Sequence, residues 1–550
     1  MDRSHAGQNG PRGLEYRLLP SSRRVTASDK SIDRSFIWLA VAFLAYAAVY
    51  IFRISFDVDG VRYFTLADDQ MISMRYAENL ASGSGLVWNA GGPRVEGYAS
   101  FLWVLYMALF HAVHVPRPWI SACIQASGAI LLLINLLFTK RLAERLSGGS
   151  TVAGMIAATL TAFYVPLDNW AFQGSEVSVM TLIVTVVAYL VVSRSYESPS
   201  LGVWLLVGAA TLVRPDAIVI AFALFAYVLA TRRASWRPSL VRGIAIVAAF
   251  VLAQTAFRIW YYGDLLPNTY YVKLTGIPAW IRMGRGFVVT SIFLVELTPL
   301  AWLFVRSARS RAWCQQHACL LAIFASQLAY NVYVGGDAWE WWGGSNRVVA
   351  TVMPLFFIMA ATSVSAYLSV AFRPMQLAAA TAACVFTVNV MAFAMWPITA
   401  PWKRLLLVAK PPQSEQDSHA VRAALMLRRS TDPSTVVAVS WAGAIPYFSE
   451  RPAIDLLGKM DPHIAHQPMH VPVGEQRWLR FVPGHLKWDY SYSISTLKPD
   501  VIQAPLWTVP GVGGNAVPML RSDYTKRRLG TDWYVRNDSR KVHFEQIGLD

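Results

Sequence analysis

The sequence predicts a polytopic α-helical membrane protein with a C-terminal α/β domain, and three observations support this prediction. Of 550 residues, 55% are hydrophobic and only 15% are charged, whereas soluble proteins usually carry about 25% charged residues. Apolar runs separated by short basic clusters fill residues 36–398, and residues 399–550 are more polar. The net charge of +16 is spread between apolar runs, as in proteins oriented in a membrane. We therefore expect membrane lipid, and no nucleic acid, as a partner.

We expect about eleven membrane-spanning helices, because a helix needs about 20 apolar residues to cross a bilayer. Two short runs are separated by Arg214, Pro215 and Asp216, and we interpret them as a hairpin rather than one broken helix. The expected spans are 36–52, 119–139, 150–167, 177–193, 200–213, 217–230, 243–262, 287–305, 315–334, 348–370 and 376–397.

The basic residues predict the orientation of these spans in a bacterial cytoplasmic membrane. The positive-inside rule places basic clusters on the cytoplasmic side, together with the N-terminal tail 1–35. The apolar run 99–115 would reverse this order if it spanned, so we expect a helix on the outer surface there. The loop 53–118 and the C-terminal domain 399–550 then lie outside. The clusters are 140–145, 232–242, 306–311 and the single Arg373.

Residues 399–550 contain the patterns of a small α/β domain. Short β-like runs occur at 435–440, 500–503 and 533–536, and a helix-like stretch occupies 419–429. None of the four cysteines falls in this part of the chain, so no disulfide framework is expected there.

The first outer loop contains two adjacent carboxylates, Asp68 and Asp69, directly after the first span. Neighbouring like charges can raise the pKa of one carboxyl group, and a proton or a metal ion relieves their repulsion. The structural alternative is that Asp69 caps a helix running to Leu80.

The residues after this acidic pair form a recognisable pattern. They are Arg75, Tyr76, Asn79, Leu80, Gly83, Gly85, Leu86, Val87, Trp88 and Asn89, then Arg94, Val95, Glu96, Gly97 and Tyr98. With them the loop resembles that of the GT-C-fold, polyprenyl-phosphate-dependent glycosyltransferases, in particular the mycobacterial-type terminal arabinofuranosyltransferases and their bacterial relatives. The resemblance covers about 40 residues closely and extends loosely to 441–449, 453–466 and 483–490.

The resemblance implies an inverting transfer at the outer face of the membrane. A sugar on a polyprenyl phosphate would pass to a hydroxyl of a cell-envelope glycan, lipid or protein. An acidic residue of the first loop would deprotonate that hydroxyl; Asp68 is the first candidate and Asp69 its support, although adjacency does not distinguish them. Such a general base contributes roughly 10²–10⁴-fold.

The donor phosphate and sugar need cations and polar groups from the outer segments. We expect Lys273 and Arg347 to bind the phosphate, since Arg binds phosphate bidentately and Lys as a point charge; snorkelling at the interface is the alternative. The full set of donor candidates is Arg75, Arg94, Glu96, Asn268, Tyr270, Lys273, Asp337 and Arg347. Weaker acceptor-binding candidates are Trp339, Trp341, His463 and His485.

Several alternatives stay open at the level of sequence. A divalent metal could bridge the carboxylate pair and a phosphate, but no cofactor is certain. Arabinofuranose is suggested only by the resemblance. A transporter or flippase of lipid-linked sugars, and a non-catalytic glycan-binding membrane protein, are the competing functions; a transporter would favour broken spans and internal repeats.

Overall fold

The computed structural model describes residues 33–193, 198–230, 236–342, 346–371, 373–391, 401–410, 413–471, 481–507, 520, 522–529 and 531–543. Helices dominate this part of the chain. They are α1 Arg34–Ile54, α2 Asp68–Ala81, α3 Phe101–Ala112, α4 Arg117–Leu146, α5 Thr151–Ala162, α6 Val165–Phe172, α7 Val177–Ser193, α8 Leu201–Val213, α9 Ile218–Ala230, α10 Arg237–Tyr262, α11 Asn268–Leu274, α12 Ala279–Glu296, α13 Thr298–Ala308, α14 Arg311–Val334, α15 Arg347–Ala350, α16 Met353–Ala371, α17 Pro374–Met391, α18 Pro401–Leu405, α19 Gln413–Ser430, α20 Ala444–Ser449 and α21 Pro462–Ala465. The strands are β1 Phe56–Val58, β2 Val61–Tyr63, β3 Val437–Val439, β4 Ala453–Asp455, β5 Val501–Gln503, β6 Tyr524–Leu529 and β7 Thr531–Arg536.

Each predicted apolar run contains helix in its described residues, but not every helix is long enough to cross a bilayer by itself. Within the described ranges, α1, α4, α10 and α14 are long and apolar enough, and α5 with α6, which meet at 56°, would form a fifth span. The others are shorter: α8 has 13 residues, or about 20 Å at 1.5 Å per residue, against a hydrocarbon core of about 30 Å. The expected count of about eleven spans therefore stays a prediction.

The two short runs around residue 214 are separated where the sequence places a break. Arg214 is extended, with φ −147° and ψ 129°, and Pro215–Ala217 forms a single 3₁₀ turn before α9. Pro215 has no N–H group with which to continue the hydrogen bonding of the preceding helix. Its ring also disfavours a helical conformation of the residue before it, Arg214. Helix α8 packs against α7 and α10, whereas α9 packs mainly against α14.

The predicted surface helix at 99–115 is present as α3; its position at a membrane surface remains a prediction.

The described residues form three apolar clusters, and two of them determine how the candidate site is assembled. The larger one joins the helices of the N-terminal two-thirds and buries Phe43, Trp170, Trp204 and Phe357. The second joins α2 and α3 of the first outer loop to α19 and α20 of the C-terminal part. The C-terminal part therefore packs directly on the acidic loop, which places its residues at the candidate site.

The C-terminal part contains a five-stranded sheet of order β4-β3-β5-β7-β6. Strand β3 runs parallel to β4 and β5, with Val437 opposite Ala453 and Val501, and β7 runs antiparallel to β5 and β6. Strands β3, β5 and β7 and helix α19 occur at the four positions where the sequence predicts them. These elements do not test the domain boundary at residue 399, which stays a prediction.

Candidate active site

The two adjacent carboxylates begin helix α2, whose N-terminal end favours negative charge. The N-cap residue is Ala67, so Asp69 lies in the first turn and is not the cap that the structural alternative assumed. The Ala67 N–H donates to the carbonyl oxygen of Gln173 at 3.2 Å. This bond fixes the start of α2 against the end of α6.

Asp68 contacts the C-terminal part of the chain through one carboxylate oxygen. Its Oδ1 accepts from the backbone N–H groups of Gly443, at 3.0 Å, and Ala444, at 3.2 Å. Its Oδ2 accepts no hydrogen bond from any described residue. Burial and then the charge of Asp69 raise the pKa of Asp68 to about 6, against the opposing effects of Lys459 and the two amides.

Asp69 holds two cations at once. Its Oδ1 accepts from Lys459 Nζ at 2.5 Å and its Oδ2 from Arg347 Nη1 at 3.0 Å. Burial raises the pKa of Asp69, but the positive charges of Lys459, Arg347 and the nearby Lys273 have the larger combined effect. They hold the pKa of Asp69 well below its usual range. Asp69 is therefore ionised throughout the physiological range.

Arg347 is fixed from three sides. Besides Asp69 it binds Asp337, with Nε to Oδ2 at 2.9 Å and Nη2 to Oδ1 at 3.3 Å, and its guanidinium lies 4.7 Å from the centroid of Trp170. A planar guanidinium clamped by carboxylates and an aromatic face is pre-organised for further binding.

Lys273 is different, because its ammonium group makes no hydrogen bond or ion pair within the described part of the chain. Burial and the positive charges of Arg347 and Lys459 lower the pKa of Lys273 to about 8, partly offset by Asp69 and Asp337. A Cβ at Gly484 would lie 3.2 Å from the Lys273 side chain, so this glycine lets the chain pass close to the lysine stem. Lys273 thus carries a positive charge with no bonded anion.

A pocket of about 190 Å³ is lined by Lys273, Asp337 and Arg347, whereas Asp68, Asp69 and Lys459 are not among its described lining residues. Six charged residues line it, three cationic and three anionic: Glu176, Arg214, Asp216, Lys273, Asp337 and Arg347. A second pocket of about 380 Å³ is mainly apolar and is lined by Leu102, Trp103, Tyr106, Ile130, Leu131, Val179 and Val213, among others. Residues that line the two pockets are close in the sequence: Val213 of the apolar pocket precedes Arg214 of the charged pocket, and Val179 follows Glu176 by three residues.

Three of the predicted donor-binding residues do not line the charged pocket and make other contacts, so their role in donor binding stays a prediction. Buried Arg75 bonds to the carbonyl oxygens of Trp88, Pro446 and Arg451 and to Asn89, so it ties α2 to the C-terminal part. Arg94 is exposed over the Tyr261 ring, 4.6 Å from its centroid. Glu96 is buried in an ion pair with Arg258 of α10.

Two other candidates have mixed outcomes. Asn268 does not line the pocket; its Nδ2 donates to the carbonyl oxygens of Gly458 and Lys459, both at 2.9 Å, and so positions the Lys459 loop. Tyr270 lines the pocket, as do Asp337, Lys273 and Arg347.

The predicted acceptor-binding residues do not form one group. Trp339 and His485 are buried and pack against the half-buried Trp441 and Trp507, and burial lowers the pKa of His485 to about 4. His463 lies at the surface, 3.2 Å from Asp489, beside Tyr492. The side chain of Trp341 lies outside the described residues.

Sequence reasoning missed the residues that the C-terminal part contributes. Lys459 and Gly443 lie in the stretches 453–466 and 441–449, which were noted only for their resemblance. A Cβ at Gly443 would lie 2.0 Å from the Asp68 carbonyl oxygen, so no larger residue fits there. Lys459 is 390 residues from Asp69 in the chain, and no local pattern predicts such a contact.

The carboxylate pair is a poor cation site as it stands. Both oxygens of Asp69 are bound by cationic side chains. Among the described residues, no group of three or more His, Cys, Asp or Glu is arranged to hold a metal ion.

Two known sequences or sequence families match parts of this chain. Residues 412–542 match a family model described as a domain of unknown function, DUF8728. The terminal β-(1→2)-arabinofuranosyltransferase of Mycobacterium tuberculosis (strain ATCC 25618 / H37Rv) is 27% identical over 267 residues, covering 44% of this chain and 41% of that protein. The chain thus spans less than half the length of this curated relative.

Crystal structures of ArnT from Cupriavidus metallidurans are similar over almost the whole chain. The form bound to undecaprenyl phosphate has a TM-score of 0.54 at 12% identity, covering 92% of this chain and 98% of that one. The apo form has a TM-score of 0.51 at 13% identity, with the same coverage. At this identity the likeness shows the fold alone: the chain has the helical GT-C membrane fold that the first outer loop predicted.

Proposed function

We propose that this protein is an inverting glycosyltransferase that moves a sugar from a polyprenyl phosphate to a hydroxyl of a cell-envelope glycan, lipid or protein, at the outer face of the bacterial cytoplasmic membrane. One observation carries the proposal: Asp68, whose Oδ2 has no partner among the described residues, is next to Asp69, which binds Arg347, and Arg347 lines a pocket together with Lys273, an ammonium that no described residue bonds. The curated relative's name, an arabinofuranosyltransferase, makes arabinofuranose the first sugar to test.

Asp68 is the group best suited to act as the base. Its Oδ1 is held by two backbone N–H groups, which leaves Oδ2 to accept the proton of an acceptor hydroxyl. With a pKa of about 6 it is ionised at neutral pH and still basic enough to take a proton. The acceptor oxygen then attacks the anomeric carbon as the bond to the phosphate oxygen breaks, and the proton stays on Asp68.

Asp69 supports the reaction by holding cations rather than by taking a proton. It fixes Arg347 and Lys459, and its pKa is far too low for a base. Arg347 and Lys273 line the pocket together and would neutralise the departing phosphate. A pre-organised cation costs no reorganisation as negative charge develops on the leaving group.

The apolar pocket favours a lipid carrier for the sugar. It lies between α3, α4, α7 and α8, and its lining residues Val179 and Val213 are three positions and one position in the chain from Glu176 and Arg214, which line the charged pocket. A polyprenyl chain needs an apolar surface next to the site that binds its phosphate. A structure of similar fold, ArnT, is bound to undecaprenyl phosphate.

The proposal is tested by the turnover of a labelled donor. Purified protein in lipid nanodiscs receives polyprenyl-phosphate arabinofuranose, labelled in the sugar, with and without an octyl disaccharide acceptor. We expect acceptor-dependent release of polyprenyl phosphate together with a labelled trisaccharide. If instead the labelled lipid crosses the bilayer of sealed vesicles without release, the protein is a transporter and the proposal is wrong.

A further inference from the structure

The charged pocket is also lined by an ion cluster to which the proposed chemistry assigns no role. The guanidinium of Arg214 binds Asp216 bidentately, with Nε to Oδ1 at 2.8 Å and Nη2 to Oδ2 at 2.7 Å. Its Nη1 binds Glu176 Oε1 at 3.1 Å. The three side chains are only 10–17% exposed, and all three line the pocket. This is a rigid, built arrangement rather than a surface ion pair.

This ion cluster carries more negative than positive charge, because two carboxylates, Glu176 and Asp216, face the single guanidinium of Arg214. The Lys273 ammonium, on a residue that lines the same pocket, has no bonded anion among the described residues. Because charges interact strongly where solvent is largely excluded, a phosphate is drawn toward Lys273 and repelled from Glu176 and Asp216.

The two carboxylates of this cluster retain unused hydrogen-bonding capacity. An ionised carboxylate offers about four acceptor positions; Asp216 accepts two bonds from Arg214, and Glu176 accepts one from Arg214 and one from Ser175 Oγ at 3.2 Å. The hydroxyl groups of Thr269 and Tyr330 line the same pocket and make no hydrogen bond within the described ranges. These groups are complementary to a ligand with several hydroxyls.

The segment that carries Glu176 also contacts the start of α2. It begins with Trp170 against Arg347, continues with Gln173, whose carbonyl oxygen accepts from the N–H of Ala67, and ends at Glu176. One segment of seven residues therefore contacts Arg347 and the residue that precedes Asp68, and also supplies Glu176 to the pocket.

We propose that Glu176, Arg214 and Asp216 form the subsite for the transferred sugar and select one neutral, hydroxyl-rich monosaccharide over a sugar that bears a carboxylate or phosphate. The inference rests on the proposed function. The size of the pocket agrees with a single sugar as the ligand. Its volume of about 190 Å³ is smaller than the roughly 300–1,000 Å³ of sites that bind larger ligands, so it suits one ring rather than an oligosaccharide.

The test compares the affinity of the protein for two lipids that differ only in the sugar: bare polyprenyl phosphate and polyprenyl-phosphate arabinofuranose. We expect Glu176→Gln and Asp216→Asn, measured separately in nanodiscs, to weaken the sugar-bearing lipid about tenfold or more, as expected for bonds to a charged group. Binding of the bare lipid should change less than twofold. Lys273→Gln should weaken both lipids, and the exposed Glu415→Gln should weaken neither.

A second readout is selectivity. Wild type should bind the neutral lipid more tightly than polyprenyl-phosphate glucuronate, and Asp216→Asn should narrow that difference. Equal losses for bare and sugar-bearing lipid in both variants, or no loss in either, would overturn the inference while leaving the proposed function intact. Wild-type protein that binds neither lipid would overturn both.

Discussion

Asp68 and Asp69 have different environments although they are neighbours in the sequence. Successive residues of an α-helix point about 100° apart, so Asp68 turns toward the amides of Gly443 and Ala444 and Asp69 turns toward Lys459 and Arg347. The sequence identified the acidic pair but could not divide the roles, because those roles depend on residues several hundred positions away.

This division predicts the pH dependence of transfer. The base must be ionised, and the pKa of Asp68 is raised to about 6. We expect kcat/KM to be constant between about pH 7 and pH 8, to fall above this range as Lys273 loses its charge, and to fall about tenfold per pH unit well below pH 6. Asp69, with its pKa held far lower, should not contribute in this range. A pH–rate profile flat to pH 4.5 would contradict the assignment.

At the scale of elements, the candidate site depends on the close approach of α20 to the start of α2. Gly443 makes this approach possible, because a Cβ there would collide with the Asp68 carbonyl oxygen. The sequence predicted most of the elements, including α19, β3, β5 and β7, because periodicity and turn residues are local signals. It could not predict the contact between α20 and α2, which no local pattern encodes.

We therefore expect Gly443→Ala to lower transfer by about tenfold or more while the protein remains folded, since α20 would have to move away from Asp68 and remove its two N–H donors. Gly202→Ala in α8 is the matched control: its nearest neighbour would be Ser200 Oγ at 3.9 Å, and it should be neutral. Transfer and thermal unfolding of both variants are measured side by side. Equal activity of the two variants would show that this approach is not required.

At the scale of the whole molecule, the membrane helices and the C-terminal part build the site together. The membrane part supplies Arg214, Lys273 and Arg347, the first outer loop supplies the two aspartates, and the C-terminal part supplies Lys459. Hydropathy predicted the helical membrane class because it sums over many residues. It could not fix the number of spans, because α7, α8 and α9 are shorter than a bilayer core is thick. The side of the membrane on which the first outer loop and the C-terminal part lie stays a prediction from the distribution of basic residues.

The measurement that tests the central claim most directly is single-turnover transfer by Asp68→Asn and Asp69→Asn, with donor affinity measured on the same preparations. The account predicts that Asp68→Asn slows transfer by about 10²–10⁴-fold with donor binding unchanged. Asp69→Asn, which leaves Arg347 and Lys459 without their shared anion, should alter donor binding as well. Transfer at the wild-type rate by Asp68→Asn would contradict the role of Asp68 as the base.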